Sequence, residues 1–291
     1  MIARLAGIIL PVFLVVALGY AWGRRARPDV QAVNRLSMNL LGPALIFSAL
    51  ASKDFDVHAN GVLMIAAVGV VLGSGLIAWP VARALGVDYR TFLPPMMFNN
   101  CGNVGLPLAV LAFGAAGFSS MVALFTISNL LHFTVGVWMI DHHARIGKLL
   151  RTPMVLATFA GFACALLKPP LPDWLTVAIR MVGDALVPVM LISLGVRLTS
   201  LARGDWHLGA IGGATCALSG LAMAAILIAL LGLDRQQAGL LFLFGCLPPA
   251  VLNFMVAEQF GREPAKVASI VLIGNLMSLV FVPVGVALAL R

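Results

Sequence analysis

Apolar residues in this chain neither alternate with polar ones nor recur at a surface-helix period. They run on for about twenty positions at a time, and Gly, Pro and charged residues punctuate the runs. Roughly 20 apolar residues is the length an α-helix needs to cross hydrocarbon. The punctuation predicts ten such helices, at about 4–23, 31–51, 61–83, 90–113, 118–140, 152–168, 174–196, 208–231, 236–259 and 266–290. The sixth is the weakest and ends at Lys168, Pro169 and Pro170.

Composition identifies the solvent. Of 291 residues 61% are hydrophobic and only 10% charged, with a mean hydropathy of +1.03, whereas a soluble chain is about 25% charged. A large water-soluble domain is therefore excluded, and one all-α integral membrane unit is expected. Arg24, Arg25 and Arg27 follow the first apolar run and only Arg4 precedes it, the reverse of a secretion signal, so the run is read as a retained helix.

Lys and Arg residues sort by side. One set of alternate loops and helix ends carries Arg24, Arg25, Arg27, Arg35, Arg83, Arg90, Arg145, Lys148, Arg151, Arg197, Arg203, Arg262 and Lys266; the other carries Arg4, Lys53, Lys168, Arg235 and Arg291. Positive residues stay in the cytoplasm, so the thirteen-to-five bias predicts both termini outside, in an inner or plasma membrane. The net charge of +8 is explained by these loops. The basic residues form no single amphipathic surface, and nucleic acid is not an expected partner. Cys101, Cys164, Cys216 and Cys246 lie singly in apolar runs without His or Cys at ligand spacing, so they are expected to face lipid or pack, with no metal or cofactor.

Sliding the chain on itself by about 145 to 146 residues aligns several features in order. Asn39 to Pro43 with Ser48 falls on Asp184 to Pro188 with Ser193, and Leu85 to Asp88 on Leu231 to Asp234. Ile127 to Leu130 falls on Ile273 to Leu276, and the interrupted fourth helix on the interrupted ninth. Five helices per copy is an odd number, so the second copy enters the membrane from the opposite side. The expected organisation is a first repeat at 1–140, a cytoplasmic linker at 141–151 and a second, inverted repeat at 152–291. Secondary transporters are commonly built this way, around a midplane site made by broken helices.

Two stretches supply those breaks. Asn99-Asn100-Cys101-Gly102-Asn103-Val104-Gly105-Leu106-Pro107 is too rich in amides and glycine to sit in lipid unless it lines a protein cavity. Its counterpart, from Gly245 through Pro248, Pro249 and Asn253, has two prolines that remove amide donors. Broken helices expose half-helix N-termini that attract anions without a lysine. Asn100, Asn103, Pro107, Pro248, Pro249 and Asn253 are the expected substrate-binding residues, because a few amides fix orientation in an otherwise apolar pocket. Asp184, near the centre of the seventh helix, is read as a proton or cation coupling residue facing the break. The competing reading is neutralisation by Arg180 one turn away. Asn39, Asn129 and Asn275 would support the site from matched depths; for Asn129 and Asn275 helix–helix bonding is an equal alternative. His132 is weighed mainly as a packing histidine.

The stretches at 100–107 and 247–253, with the ten-helix layout, resemble the auxin efflux carrier family over essentially the whole chain, particularly its bacterial malonate and organic-acid members. The resemblance implies two inverted five-helix repeats forming scaffold and transport subdomains, helices four and nine crossing at unwound centres, and anionic organic-acid substrates. It places Asn100, Asn103, Pro248, Pro249 and Asn253 at or near the crossing. The long hydrophilic loop of the plant carriers has no counterpart here.

The expected function is a secondary carrier for small organic anions, with proton coupling favoured over sodium. Its partners are a small acid and the lipid bilayer, with a homodimer as the assembly to test. Alternatives are a sodium-coupled symporter or sodium/proton antiporter of the same plan, a drug/metabolite exporter, and an acid-binding membrane sensor. A phosphate-cradling loop, a paired metal-binding motif and a Ser, His and Asp set at shared depth are all missing from the sequence, so it is not expected to be an enzyme.

Overall fold

The computed structural model describes residues 2–26, 28–52, 55–141, 147, 151–199 and 206–290. Most of the expected linker at 141–151, including His142 and His143, lies outside the described residues.

The fold is all-helical. In chain order the elements are α1 (Ile2–Ala26), α2 (Val30–Leu36), a π-helical turn (Ser37–Leu41), α3 (Gly42–Leu50), α4 (Val57–Leu85) and α5 (Tyr89–Met97). A second π-turn (Cys101–Gly105) leads into α6 (Leu106–Leu131), and a third (His132–Gly136) into α7 (Val137–Ile140). Then come α8 (Pro153–Leu167), α9 (Asp173–Asp184), α10 (Leu186–Leu198), α11 (Trp206–Leu231), α12 (Arg235–Gly245), α13 (Val251–Gln259) and α14 (Pro264–Ala289). Five stretches among the described residues are long and apolar enough to cross a membrane: Ala59–Leu85, Cys101–Ile140, Asp173–Leu198, Trp206–Leu231 and Pro264–Ala289, with Pro153–Leu167 a shorter apolar helix. Large apolar side chains face outward along them, Leu76 and Leu230 among the most exposed. In water such a surface would aggregate; in lipid it is the ordinary exterior.

Local chemistry sets the ends. The Asp29 carboxylate caps α2 by accepting from the Gln31 and Ala32 amides, and Asp88 caps α5 by accepting from the Arg90 amide. Asp234 and Gln237 form a reciprocal capping box at the start of α12. Left-handed Lys168 closes α8 just before the two prolines. The Cys101–Ile140 stretch is two helices folded at Gly114, whose φ of 70° and ψ of −158° are open to glycine. The apolar runs at 90–113 and 118–140 leave residues 114–117 for that turn, and a single glycine accomplishes it.

The helices pack in two groups. In one, α1 lies against α10, and α3 against α8 and α9. In the other, α4 packs on α5, α6 and α11, and α14 on α11 and α12. Within the second group α11 approaches the end of α12 at backbone contact: a Cβ on Gly220 would collide with the Gly245 carbonyl, and one on Gly245 with that of Gly220. That contact lies immediately before the break that follows α12.

Candidate functional site

The two breaks meet. After α5 the chain is extended at Phe98, with φ −108° and ψ 98°, and Asn99 forms an isolated antiparallel bridge with Pro249 in the segment between α12 and α13. The Asn100 N–H donates to the Pro248 carbonyl at 2.7 Å, and the Ala250 N–H to the Phe98 carbonyl at 2.9 Å. Pro248 and Pro249 have no N–H, so this stretch offers carbonyls and withholds donors.

Side-chain amides supply the missing donors. Asn99 Nδ2 donates to the Phe244 carbonyl at the end of α12 (2.6 Å), and Asn253 Nδ2 to the Phe98 carbonyl (2.8 Å). Asn275 Nδ2, on α14, donates to the Pro249 carbonyl (2.9 Å), while its Oδ1 accepts from Asn100 Nδ2 (3.0 Å). An unpaired backbone group in hydrocarbon costs several kcal/mol, so these amides are what make the crossing tolerable.

Beside the crossing is a chamber of about 80 Å³, room for a few waters or a carboxyl group at roughly 30 Å³ per water. It lies between the two packing groups. One wall is Asn34, Ser37 and Met38 with Met154, Leu186 and Met190; the other is Asn99, Asn100, Gly102 and Asn103 with Phe125, Asn129, His132 and Leu252. Among the described residues its lining includes no Asp, Glu, Lys or Arg. Five of its buried polar atoms have no hydrogen-bond partner among the described residues: Asn34 Oδ1, Ser37 Oγ, Asn99 Oδ1, Asn129 Nδ2 and His132 Nε2. Buried polar groups are almost always paired, and a cluster of unpaired ones around a cavity marks a place for a polar ligand or water.

The chamber shares Asn34, Met38, Met154, Leu252 and Met255 with a vestibule of about 1260 Å³. Among the described residues the vestibule's charged lining is Arg24, Arg35 and Arg197 against the single acid Glu258, with the Arg197 guanidinium 5.9 Å from the centroid of the Phe254 ring. A concave surface of one sign concentrates ligands of the other.

The expected residues therefore separate. Asn100, Asn103 and Asn129 line the chamber, and Asn39 lines the vestibule. Asn253 and Asn275 are buried, yet their amide donors serve backbone carbonyls of the crossing, and neither side chain lines the chamber. Pro248 and Pro249 form the break, and Pro107 opens α6 in its first turn.

Asp184 is placed differently from the sequence expectation. It does not line the chamber or the vestibule; its side chain is 60% exposed and stands 3.6 Å from Arg180 one turn earlier. The helix phase decides this, because Gly183 and Leu186 face inward on either side of it. Asn34, Ser37, Asn99 and the vestibule arginines were not singled out as site residues from the sequence. Two hints were present: Asn34 with Ser37 and Asn129 with His132 are three residues apart, so each pair shares a helix face. Cys101, Cys216 and Cys246 are buried packing residues, and Cys164 is half-buried. Among the described residues no three His, Cys, Asp or Glu side chains gather in a metal-binding group.

The profile of the membrane transport protein family matches residues 6–147 and, a second time, 142–286. The chain belongs to this family. The match in two repeats fits the resemblance to the auxin efflux carriers. A protein of Rhizobium meliloti (strain 1021) named "Putative malonate transporter" is 27% identical to this family member over 303 residues, covering 95% of the chain and 93% of the relative. One from Methanothermobacter thermautotrophicus (strain ATCC 29096 / DSM 1053 / JCM 10044 / NBRC 100330 / Delta H), named "Uncharacterized transporter", is 27% identical over 293 residues, covering 94% and 95%.

Proposed function

We propose that this family member is a secondary carrier for a small organic anion, malonate or a related short carboxylate, which binds in the chamber beside the crossed breaks. The observation that carries the reading is the chamber's position: unpaired polar groups between two packing groups of helices, next to two broken helices, at the foot of a basic vestibule. Anions gathered by Arg24, Arg35 and Arg197 meet the chamber next.

The reading includes ten crossings in two inverted repeats, 1–140 and 152–291, with α1 to α3 and α8 to α10 as scaffold and the remaining helices as the moving part. Matched irregularities support it. Gly86 and Gly232, 146 apart, have φ of 63° and 60°, and each stands two residues before a capping aspartate, Asp88 or Asp234. The π-turn Ser37–Leu41 corresponds in register to the interruption between α9 and α10. Contacts between helix starts agree with alternating crossings: the Thr91 hydroxyl donates to Glu263 at one end of the bundle, and Gln237 Nε2 to the Ala59 carbonyl at the other. With the Lys/Arg-rich side in the cytoplasm, the vestibule opens inward, which makes this the inward-facing state of an alternating cycle.

Counterflow of labelled malonate and other short acids in proteoliposomes, with and without sodium and an imposed pH gradient, tests the proposal. Saturable counterflow is the expected result. Binding without counterflow would make the protein a sensor, and an absolute sodium requirement would replace proton coupling with the sodium-coupled form.

A further inference from the structure

The following inference rests on the carrier reading and assigns it a residue. His132 is the first residue of the π-turn His132–Gly136, and π-turns recur at functional sites. Its ring lies parallel to that of Phe98, with centroids 4.2 Å apart and 4° between the planes. Gly136 leaves the space for this stack, since a Cβ there would stand 2.6 Å from the Phe98 ring and 3.0 Å from His132 Cδ2. Phe98 is in turn anchored through its carbonyl, which accepts from both Ala250 and Asn253 across the crossing.

The imidazole plane is thus fixed from several sides. Its Nε2 is nevertheless unpartnered on a side chain in a residue only 2% exposed, in the chamber wall. Asn129 Nδ2, one turn earlier on the same wall, is also unpartnered. A packing histidine would normally find a backbone or hydroxyl partner, and here the fold orients the ring and leaves its buried polar atom unpaired.

We propose that His132 Nε2 and Asn129 Nδ2 together hold one carboxylate of a short organic acid, with the fixed ring plane setting which acids fit. His132 donates from Nε2 in its Nε2–H tautomer or as the imidazolium. The described chamber lining holds no Lys or Arg, and the anion's charge is met by the basic vestibule outside the chamber.

His132→Phe is the discriminating variant, because it keeps a flat ring against Phe98 and removes the nitrogen. Binding of labelled malonate and short acids to the purified full chain is expected to weaken about tenfold or more, the usual effect of losing a hydrogen bond to a charged ligand. The melting temperature is expected at or above wild type, since an unpaired buried nitrogen is gone. His132→Gln, which keeps a donor without the ring, is expected to retain more binding than His132→Phe while melting lower. Binding by His132→Phe within twofold of wild type would overturn the assignment, and so would a large fall in its melting temperature, which would give the nitrogen to the fold. Wild-type protein that binds none of the acids would overturn the carrier reading and this assignment with it.

Discussion

The side-chain amide of Asn253 donates to the carbonyl of Phe98 at 2.8 Å, joining residues 155 apart in sequence and tying one broken helix to the other. The bond is buried, and its acceptor is a carbonyl that the break itself frees from helical pairing. Asn253→Ala is therefore expected to lower stability by about 0.5–1.5 kcal/mol, the net worth of one hydrogen bond, because the Ala250 N–H still pairs the Phe98 carbonyl. Thermal melting of the purified protein checks this; an unchanged melting temperature with lost substrate binding would return Asn253 to the ligand.

Asp184 and Arg180 are both largely exposed and pair with each other along α9, away from the chamber. Asp184→Asn should keep the wild-type response of counterflow to an imposed pH gradient. Loss of that response in a folded variant would restore Asp184 as the coupling group.

Arg24 and Arg35 line the vestibule without reaching the chamber. Neutralising Arg35 to Gln is expected to raise KM severalfold at low salt with kcat little changed. The difference should shrink as salt is added, because the Debye length falls to about 8 Å at 0.15 M. Initial rates at two ionic strengths measure this, and a salt-independent effect would mean direct contact with substrate.

At the basic end, Glu263 accepts from Lys266 and from the Thr91 hydroxyl, the latter at 2.6 Å. Lys266 first, and Thr91 second, hold its carboxyl below the usual carboxylate range. A depressed folded-state pKa gives stability that is present above the unfolded value, about 4.3, and lost as pH falls through the folded value. Glu263→Gln should therefore narrow the loss of melting temperature between pH 7 and acid, by a small amount because the carboxylate is partly exposed to solvent. An identical pH profile for wild type and variant would contradict the linkage.

The breaks were legible in the sequence because Pro248, Pro249 and the amides from Asn99 to Asn103 conflict with a continuous helix in lipid whatever surrounds them. The capped starts at Asp88 and Asp234 follow the same local logic. The partners of Asn253 and Asn275 were not legible, because a side-chain amide gives no sign of whether a distant carbonyl or a ligand will meet it. His132 is similar: that its Nε2 is left unpaired appears only once Phe98 has stacked on the ring. Asp184 misled because Val177 and Met181, which share its exposed face, are themselves apolar. On a lipid-facing helix, apolar neighbours do not identify the inner side.

The most direct test of an organic-anion site at the crossing is labelled-acid counterflow through proteoliposomes containing wild-type protein or Asn129→Leu, which replaces an unpartnered chamber amide with an apolar group of similar size. Both proteins should be folded with comparable melting temperatures. The account predicts saturable counterflow by the wild type and at least a tenfold loss in the variant, as for a lost hydrogen bond to a charged ligand. Equal counterflow by the two proteins would contradict it.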